Sequence, residues 1–321
     1  MAYEPGVAVI GGGTWGRALA ASAARTESPT WLYSRSQRGL GVEGLSGTVK
    51  LVHHLDGIGK KARLFILAVP SLVVRDVARM LGDHLDGRHL VVHAIRGLSE
   101  DGPKPLSSIL GEEIATRRLG VLGGPAIAEE LLRGDPSVLV AASAYPEVTD
   151  AVERALGSKR LRVYPTSDMI GVEWSSALVG CLAIGVGYAE AAGVRAGLLA
   201  AFISRGIDEA ARIVAAAGGS ERTALSLAGY GDLLASMEQA TRPETRIGAA
   251  LAKGSSLEAA IASVEGRVEA LDLLPKVLAF AEKKGVSTSI FAAISRGMLS
   301  GRPTAEILGE LMRAPAYRLP V

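Results

Sequence analysis

The 321-residue sequence predicts a doubly wound, parallel α/β sheet followed by an all-helical domain. Three observations carry that expectation. Residues 7–16, VAVIGGGTWG, run a short apolar strand into Gly11, Gly13 and Gly16 at G-x-G-x-x-G spacing, and a helical pattern (17–24, RALAASAA) follows. Short apolar runs then alternate with helical patterns up to residue 165, as parallel strands joined by crossover helices do. From Thr166 onward the strand pattern stops and only helical periodicity remains. The expected division is a sheet domain of residues 1–165 and a helical domain of residues 166–321.

The first element carries chemistry as well as fold. A glycine at the first position allows a tight turn, and one at the second lets a pyrophosphate touch the backbone. The third lets helix and strand pack closely, while the helix N-terminus offers free N–H groups to phosphate. Lying between a strand and a helix, the motif predicts a Rossmann-like dinucleotide-binding domain. The next strand, 30–33 (TWLY), ends at Ser34 and Arg35. NAD-specific folds carry an acid there for the ribose hydroxyls. Here Ser34, Arg35 and Arg38 stand in that place, and an arginine pairs with a 2′-phosphate, so NADP is favoured over NAD. The same residues also fit a solvated basic loop.

Residues 39–62 read as glycine-rich and irregular, and His53 and His54 within them as surface histidines, because no further metal ligands lie at useful spacing. No metal is expected. The run 63–69 (RLFILAV) reads as a strand buried on both faces, ending at Pro70-Ser71, with a helix at 72–81. A strand at 89–94 (HLVVHA) ends in Ile95-Arg96-Gly97-Leu98. Residues 120–122 lead into Gly123-Gly124-Pro125, then come a helix at 126–133, a strand at 137–142, a helix at 146–156 and a short strand at 161–164. Ligands of such sheets bind at the carboxyl ends of the strands. The loop from Gly11 to Gly16, Pro70-Ser71, Arg96 and residues 124–128 should therefore gather around one crevice. Helices are predicted over 167–192, 197–217, 221–228, 243–253, 256–264, 270–284, 289–299 and 304–313, with Ser256 as an N-cap and Gly254 and Gly285 after basic last turns.

Composition narrows the class. Hydrophobic residues make up 48% and charged residues 21%, as in an ordinary soluble globular protein, and a net charge of +2 is too small to point to nucleic acid or a membrane surface. The apolar stretch 174–189 is closed by Glu173 and Glu190 and is short for a membrane span, so it reads as a core helix without stable membrane insertion. The N-terminus enters the first strand almost at once, which predicts no secretory leader and a cytoplasmic protein. Cys181 is the only cysteine, which rules out an intrachain disulfide or a zinc cluster. The chain has no asparagine, and its two glutamines are Gln37 and Gln239. Heat adaptation and GC-rich coding both deplete asparagine, and neither leaves one for catalysis.

Further motifs fall in both domains: AVPS at 68–71, GPAIAE at 124–129, RGDP at 133–136, ISRGIDEAA at 203–211, AGYGDL at 228–233 and VEG at 264–266. With GGGTWGRALA at 11–20 and its Thr14-Trp15 pair, they make the sequence resemble the NAD(P)-dependent glycerol-3-phosphate dehydrogenases from residue 6 to about 315. The resemblance implies reversible hydride transfer between a nicotinamide cofactor and dihydroxyacetone phosphate or glycerol 3-phosphate, in glycerophospholipid metabolism, by a cytoplasmic homodimer joined through the helical domain. It implies that Gly11, Gly13, Thr14, Trp15 and Gly16 cradle the pyrophosphate and that Arg35 lies near the adenosine ribose. Pro70 and Arg96 then lie along the cofactor, Gly124 and Ala128 line the nicotinamide side, and Glu265 approaches from the helical domain.

The catalytic side departs from the family pattern. A family lysine and asparagine, written approximately E-x-x-x-A-L-K-N, fall on Val179 and Gly180 of EWSSALVGCLA (173–183). A second family lysine is replaced by Arg96, which grips a phosphate or carbonyl oxygen but stays protonated. The family's Arg-Asn pair for the substrate phosphate falls near Pro243-Glu244, where Glu244 repels phosphate; Arg242 or Arg246 substitutes if the helix starts in another register. Asp232 and Ser236, one helical turn apart, remain as candidate catalytic residues, with Asp232 as base and Arg96 as electrophile. Asp232 also fits a helix N-cap after Gly231. Glu173, Tyr188 and Tyr230 are the other protonatable candidates, and no histidine follows His93. Arg96, Gly124, Asp232 and Arg242 are the expected substrate contacts. Three functions fit: a glycerol-3-phosphate dehydrogenase with rewired catalytic groups, a dehydrogenase of the same architecture on another small substrate, or a cofactor-binding homologue without catalysis.

Overall fold

A computed structural model describes residues 6–35, 48–99, 102–237, 242–264, 266–303, 306, 307 and 309. Arg38, Glu265 and most of the predicted helix 304–313 lie outside them.

The chain begins with β1 (Gly6–Ile10), α1 (Thr14–Ala24), β2 (Thr30–Tyr33), β3 (Val49–Val52) and α2 (Ile58–Lys61). It continues with β4 (Ala62–Leu67), α3 (Val74–Gly82), β5 (Leu90–His93), α4 (Leu106–Glu113), β6 (Leu119–Gly123) and α5 (Ala128–Arg133). Then come β7 (Ser137–Ala142), α6 (Pro146–Leu156) and β8 (Leu161–Thr166). These strands form one eight-stranded sheet in the order β3-β2-β1-β4-β5-β6-β7-β8. The order reverses between β1 and β4, the switch point at which doubly wound sheets open a ligand crevice. Along β1, Val7 and Val9 belong to one core cluster while Ala8 and Ile10 belong to another. Both faces of the strand are covered, so its sequence is apolar throughout and not alternating.

One pairing departs from the expected all-parallel sheet: β6 and β7 run antiparallel, with Val121 opposite Ala142 and Gly123 opposite Val140. The connection between them contains only the six-residue α5. That helix spans about 9 Å, too short to carry the chain back across the sheet as a parallel connection requires. Three elements fall where the sequence pattern gives no signal: β3 and the one-turn α2, both within the stretch 39–62 expected to be irregular, and α4. Edge strand β3 exposes Leu51 and Lys50, so it lacks an apolar face to read. Helix α4 has eight residues and no side-chain cap.

The helical part comprises α7 (Met169–Ala191), α8 (Ala196–Ala216), α9 (Glu221–Ala224), a wide π-helical turn (Leu227–Gly231), α10 (Asp232–Met237), α11 (Pro243–Ala252), α12 (Leu257–Ala262), α13 (Glu269–Lys283) and α14 (Ser289–Ala292), which runs on into a second wide turn (Ala293–Met298). Helix α7 is its axis, buried from Gly171 to Ala189. Among the described residues it is the one helix long and apolar enough to cross a membrane, and 89% of its most apolar window lies inside the protein. Its N-cap is Asp168, which accepts from the Gly171 N–H at 2.9 Å. Helix α11 crosses α7 backbone to backbone: a Cβ on Gly187 would stand 2.2 Å from the Thr245 carbonyl oxygen, and one on Gly248 would stand 2.0 Å from that of Ile184. This close crossing sets the start of α11 against the middle of α7, where the candidate catalytic residues meet.

Candidate active site

The glycine loop has the shape a pyrophosphate needs. Gly11 takes φ +126°, and a Cβ there would lie 2.1 Å from the Ala68 carbonyl oxygen. A Cβ on Gly16 would lie 1.9 Å from the Gly11 carbonyl oxygen, so that glycine lets helix and loop touch. At Gly13 an added Cβ meets nothing within 4 Å. Gly13 therefore faces open space, at the N-terminus of an eleven-residue helix with no side-chain cap on its N–H groups. That is a cradle for a phosphate-bearing ligand. The Trp15 indole N–H donates to the Ala94 carbonyl oxygen at 3.0 Å and ties this loop to the end of β5.

A cavity of about 810 Å³ opens beside the loop. The sheet contributes Thr14, Trp15, Ala68, Val69, Pro70, Ala94, Ile95, Arg96, Gly124 and Ala128 to its walls. Helices supply Ser176, Arg242, Pro243, Glu244, Arg246, Ser263, Arg267 and Glu269. The strand ends expected to converge do so in this one crevice. Arg35 stands exposed just beyond β2 and is not among the residues lining it. The His53 Nδ1 lies 2.8 Å from the Ser34 carbonyl oxygen and ties the end of β3 to the end of β2. Among the described residues no group of three or more His, Cys, Asp or Glu side chains is placed to hold a metal ion.

Asp232, Arg96 and Arg242 meet behind the inner end of this cavity. Asp232 is fully buried and starts α10 directly after the wide turn. The Arg96 guanidinium donates to both of its oxygens at 3.1 and 2.9 Å, and Arg242 donates twice to Oδ1 at 3.1 Å. The carboxylate is thus spent on two guanidinium groups and not on capping its helix. Burial works against the charge on Arg96, but Asp232 and Glu244 outweigh it and hold its pKa above the ordinary value. Burial and the Arg96 charge lower the pKa of Arg242, against the pull of Asp232 and Glu244. Arg242 immediately precedes α11, whose first residue is Pro243, and this turn directs its side chain back to Asp232. The Ser236 hydroxyl donates to the Asp232 carbonyl oxygen at 2.8 Å and is fully buried, so it braces the backbone of α10. Val179 is buried in the apolar core of the helical part, and Gly180 next to it faces Arg96 and Glu244.

The remaining protonatable candidates lie elsewhere. Glu173 is sealed between strand and helix, accepting from His93 and from the N–H and hydroxyl of Ser107. Tyr188 is buried, and Tyr230 lines a separate groove on the helical part. Glu269 has no signal in the sequence reading beyond its place in an acidic first helical turn. Its carboxylate takes the N–H of Ser71 at 2.7 Å and the Ser71 hydroxyl, closing the crevice from the helical side.

Comparison with known proteins decides the family. The profile described as NAD-dependent glycerol-3-phosphate dehydrogenase N-terminus matches residues 6–149, and that of the C-terminus matches residues 168–308. The chain belongs to the NAD-dependent glycerol-3-phosphate dehydrogenase family. Among relatives, a protein named glycerol-3-phosphate dehydrogenase (NAD(P)+) from Moorella thermoacetica is 34% identical, the alignment covering 96% of each chain. One of the same name from Thioalkalivibrio sulfidiphilus is 31% identical, with 96% of this chain and 97% of the relative covered. The crystal structure of glycerol-3-phosphate dehydrogenase from Coxiella burnetii superposes with a TM-score of 0.88 at 25% identity, over 97% of this chain and 99% of that one. The family's lysine position, read from the sequence, falls on Val179 in the apolar core, and its Arg-Asn position falls on Pro243-Glu244, which line the cavity.

Proposed function

We propose that the chain interconverts dihydroxyacetone phosphate and sn-glycerol 3-phosphate with NAD(P), supplying glycerophospholipid synthesis. One observation carries the reading: a single cavity joins the phosphate-cradling loop at Thr14-Trp15 to the guanidinium groups of Arg96 and Arg242. The relatives named above share this reaction in their name. The bound nicotinamide supplies or accepts the hydride. The chain's own residues do the rest. Gly13, Thr14 and Trp15 hold the pyrophosphate, with Gly11 and Gly16 shaping the loop, and Pro70 lies alongside. Gly124 and Ala128 bound the nicotinamide side; Glu265, a cofactor contact implied by the family resemblance, lies outside the described residues. Arg35, exposed after β2, meets the adenosine ribose and favours NADP over NAD.

Arg96 polarises the substrate oxygen, and Asp232 fixes the directions of Arg96 and Arg242 while Ser236 steadies Asp232. The phosphate is taken by guanidinium groups of the same wall, where four arginines (Arg96, Arg242, Arg246, Arg267) outnumber three glutamates (Glu129, Glu244, Glu269). The two parts divide near residue 166, between β8 and α7. The reading includes a cytoplasmic homodimer with no nucleic-acid partner. Leu198, Leu225, Tyr230 and Leu234 stand exposed on the helical part and support its role in self-association. The test is purified protein with NADPH, then NADH, and dihydroxyacetone phosphate. Absorbance at the nicotinamide band falls if the reading holds; tight NADPH binding without turnover overturns it.

A further inference from the structure

Reduction of a ketone needs a proton donor beside the developing alkoxide, and oxidation needs the same group as base. The lysine that the family pattern offers is Val179 here, and arginine does not give up its proton. Asp232 is fully buried, bonded to two guanidinium groups and not among the cavity-lining residues. The cavity wall does hold three carboxylates. Glu269 is engaged by Ser71, and Glu129 is exposed on α5. Glu244, half-buried in the first turn of α11, makes no hydrogen bond among the described residues. Its surroundings are chemically specific. A Cβ on Gly180 would stand 3.6 Å from Glu244 Oε1 and equally 3.6 Å from Arg96 Cδ. Ala270 Cβ stands as near, at 3.5 Å, so the buried glycine leaves no room for substrate itself but lets the Glu244 carboxylate and the Arg96 side chain pack against one point of α7, and both of them line the cavity.

We infer that Glu244 is the acid–base residue of the reaction, acting in the cavity that it and Arg96 both line, with Arg96 gripping the substrate oxygen. The inference rests on the function proposed above. In oxidation the substrate O–H bond breaks and its proton passes to a Glu244 carboxylate oxygen. The carbon–oxygen double bond forms as the C–H bond breaks, and its electron pair leaves as hydride to the oxidised nicotinamide. Reduction runs the same steps backward, Glu244 being recharged with a proton from water. The charged and titratable groups around it are Arg96 and Arg242, with Asp232 behind them and Cys181 on α7.

Glu244→Gln in the full chain tests this. The expected result is a kcat lower by ~10²–10⁴ and loss of one limb of its pH profile, with Glu244→Asp recovering part of both. Calorimetric titration of dihydroxyacetone phosphate into protein saturated with NADP+, which cannot turn over, is expected to give an affinity within about threefold of the unsubstituted chain. A Glu244→Gln protein with unchanged kcat overturns the inference and leaves the proposed function standing. Binding lost in step with activity also overturns it, making Glu244 a substrate-binding group. An unsubstituted chain that does not turn over dihydroxyacetone phosphate overturns the proposed function and this role together.

Discussion

Gly11, Gly13 and Gly16 lie within six residues of one another, and an added Cβ is blocked by backbone at Gly11 and Gly16 but not at Gly13. At Gly16 the obstacle is the protein's own backbone, 1.9 Å away. At Gly13 there is none within 4 Å, and the backbone (φ −68°, ψ 174°) suits any residue. Gly13→Ala is therefore expected to fold with its thermal midpoint unchanged or slightly raised, since alanine removes unfolded-state freedom worth about 0.4–1 kcal/mol. Its Cβ projects where a bound pyrophosphate must approach the backbone, so NADPH affinity, followed by Trp15 fluorescence, is expected to fall at least ~10-fold, or about 1.4 kcal/mol. Gly16→Ala is expected to do the opposite in kind, losing about 1–3 kcal/mol of stability from overpacking. Equal stability losses in the two variants would show that Gly13 serves the fold and not a ligand. Residue-level reading of the sequence places these glycines, Arg96, Asp232 and Arg242 at one crevice. What it does not show is the nearness of Glu244 to Arg96, which appears only once the fold sets both against Gly180.

Elements were legible in proportion to how much apolar surface they bury. Strand β7 and helix α6 have the ends the pattern predicts, because each is bounded by turn residues and packs on the sheet. Edge strand β3 and the short α4 left no comparable period, and the predicted helix over 221–228 gives way after Ala224 to the wide turn that delivers Asp232. No periodicity encodes a π-helical turn, which here runs directly into Asp232. The junction of β4, β6 and α6 yields a prediction at this scale. Glu147, in the first turn of α6, accepts from Arg118 Nε at 2.8 Å and pairs with Arg63 on β4. The Arg118 hydrogen bond, aided by Arg63, holds the Glu147 carboxyl below the ordinary carboxylate range. A depressed native pKa contributes stability above the unfolded-state value, and that contribution is lost as pH falls through the native one. Urea midpoints of the wild-type chain and Glu147→Gln are expected to differ at neutral pH and to converge in strong acid. The pair is partly exposed, so high salt should also narrow the gap. A gap that persists in acid would mean that packing, not charge, sets it.

At the scale of the molecule, the two parts are tied at two depths. Glu269 reaches Ser71 at the mouth of the crevice. Deeper, Glu173 of α7 accepts from His93 Nε2 on β5 at 2.9 Å, and from the N–H and hydroxyl of Ser107 on α4 at 2.9 and 2.7 Å. Glu173 and His93 are both fully buried, and among the described residues His93 Nδ1 has no hydrogen-bond partner. The imidazole is thus held only through this carboxylate, three residues before Arg96. Removing one partner of such a buried cluster leaves the others desolvated and unpaired, which costs on the order of 3–5 kcal/mol. Glu173→Ala is therefore expected to lower the thermal midpoint by roughly 6 °C, taking about 1.5 °C per kcal/mol for a chain of this size. Because the contact joins sheet to helices, scanning calorimetry is expected to resolve two transitions where the wild-type chain shows one. Glu173→Gln keeps an acceptor oxygen for Ser107 and should fall between the two. A single, barely shifted transition in Glu173→Ala would show that the apolar packing of α7 against the sheet, and not this buried carboxylate, makes the chain melt as one body.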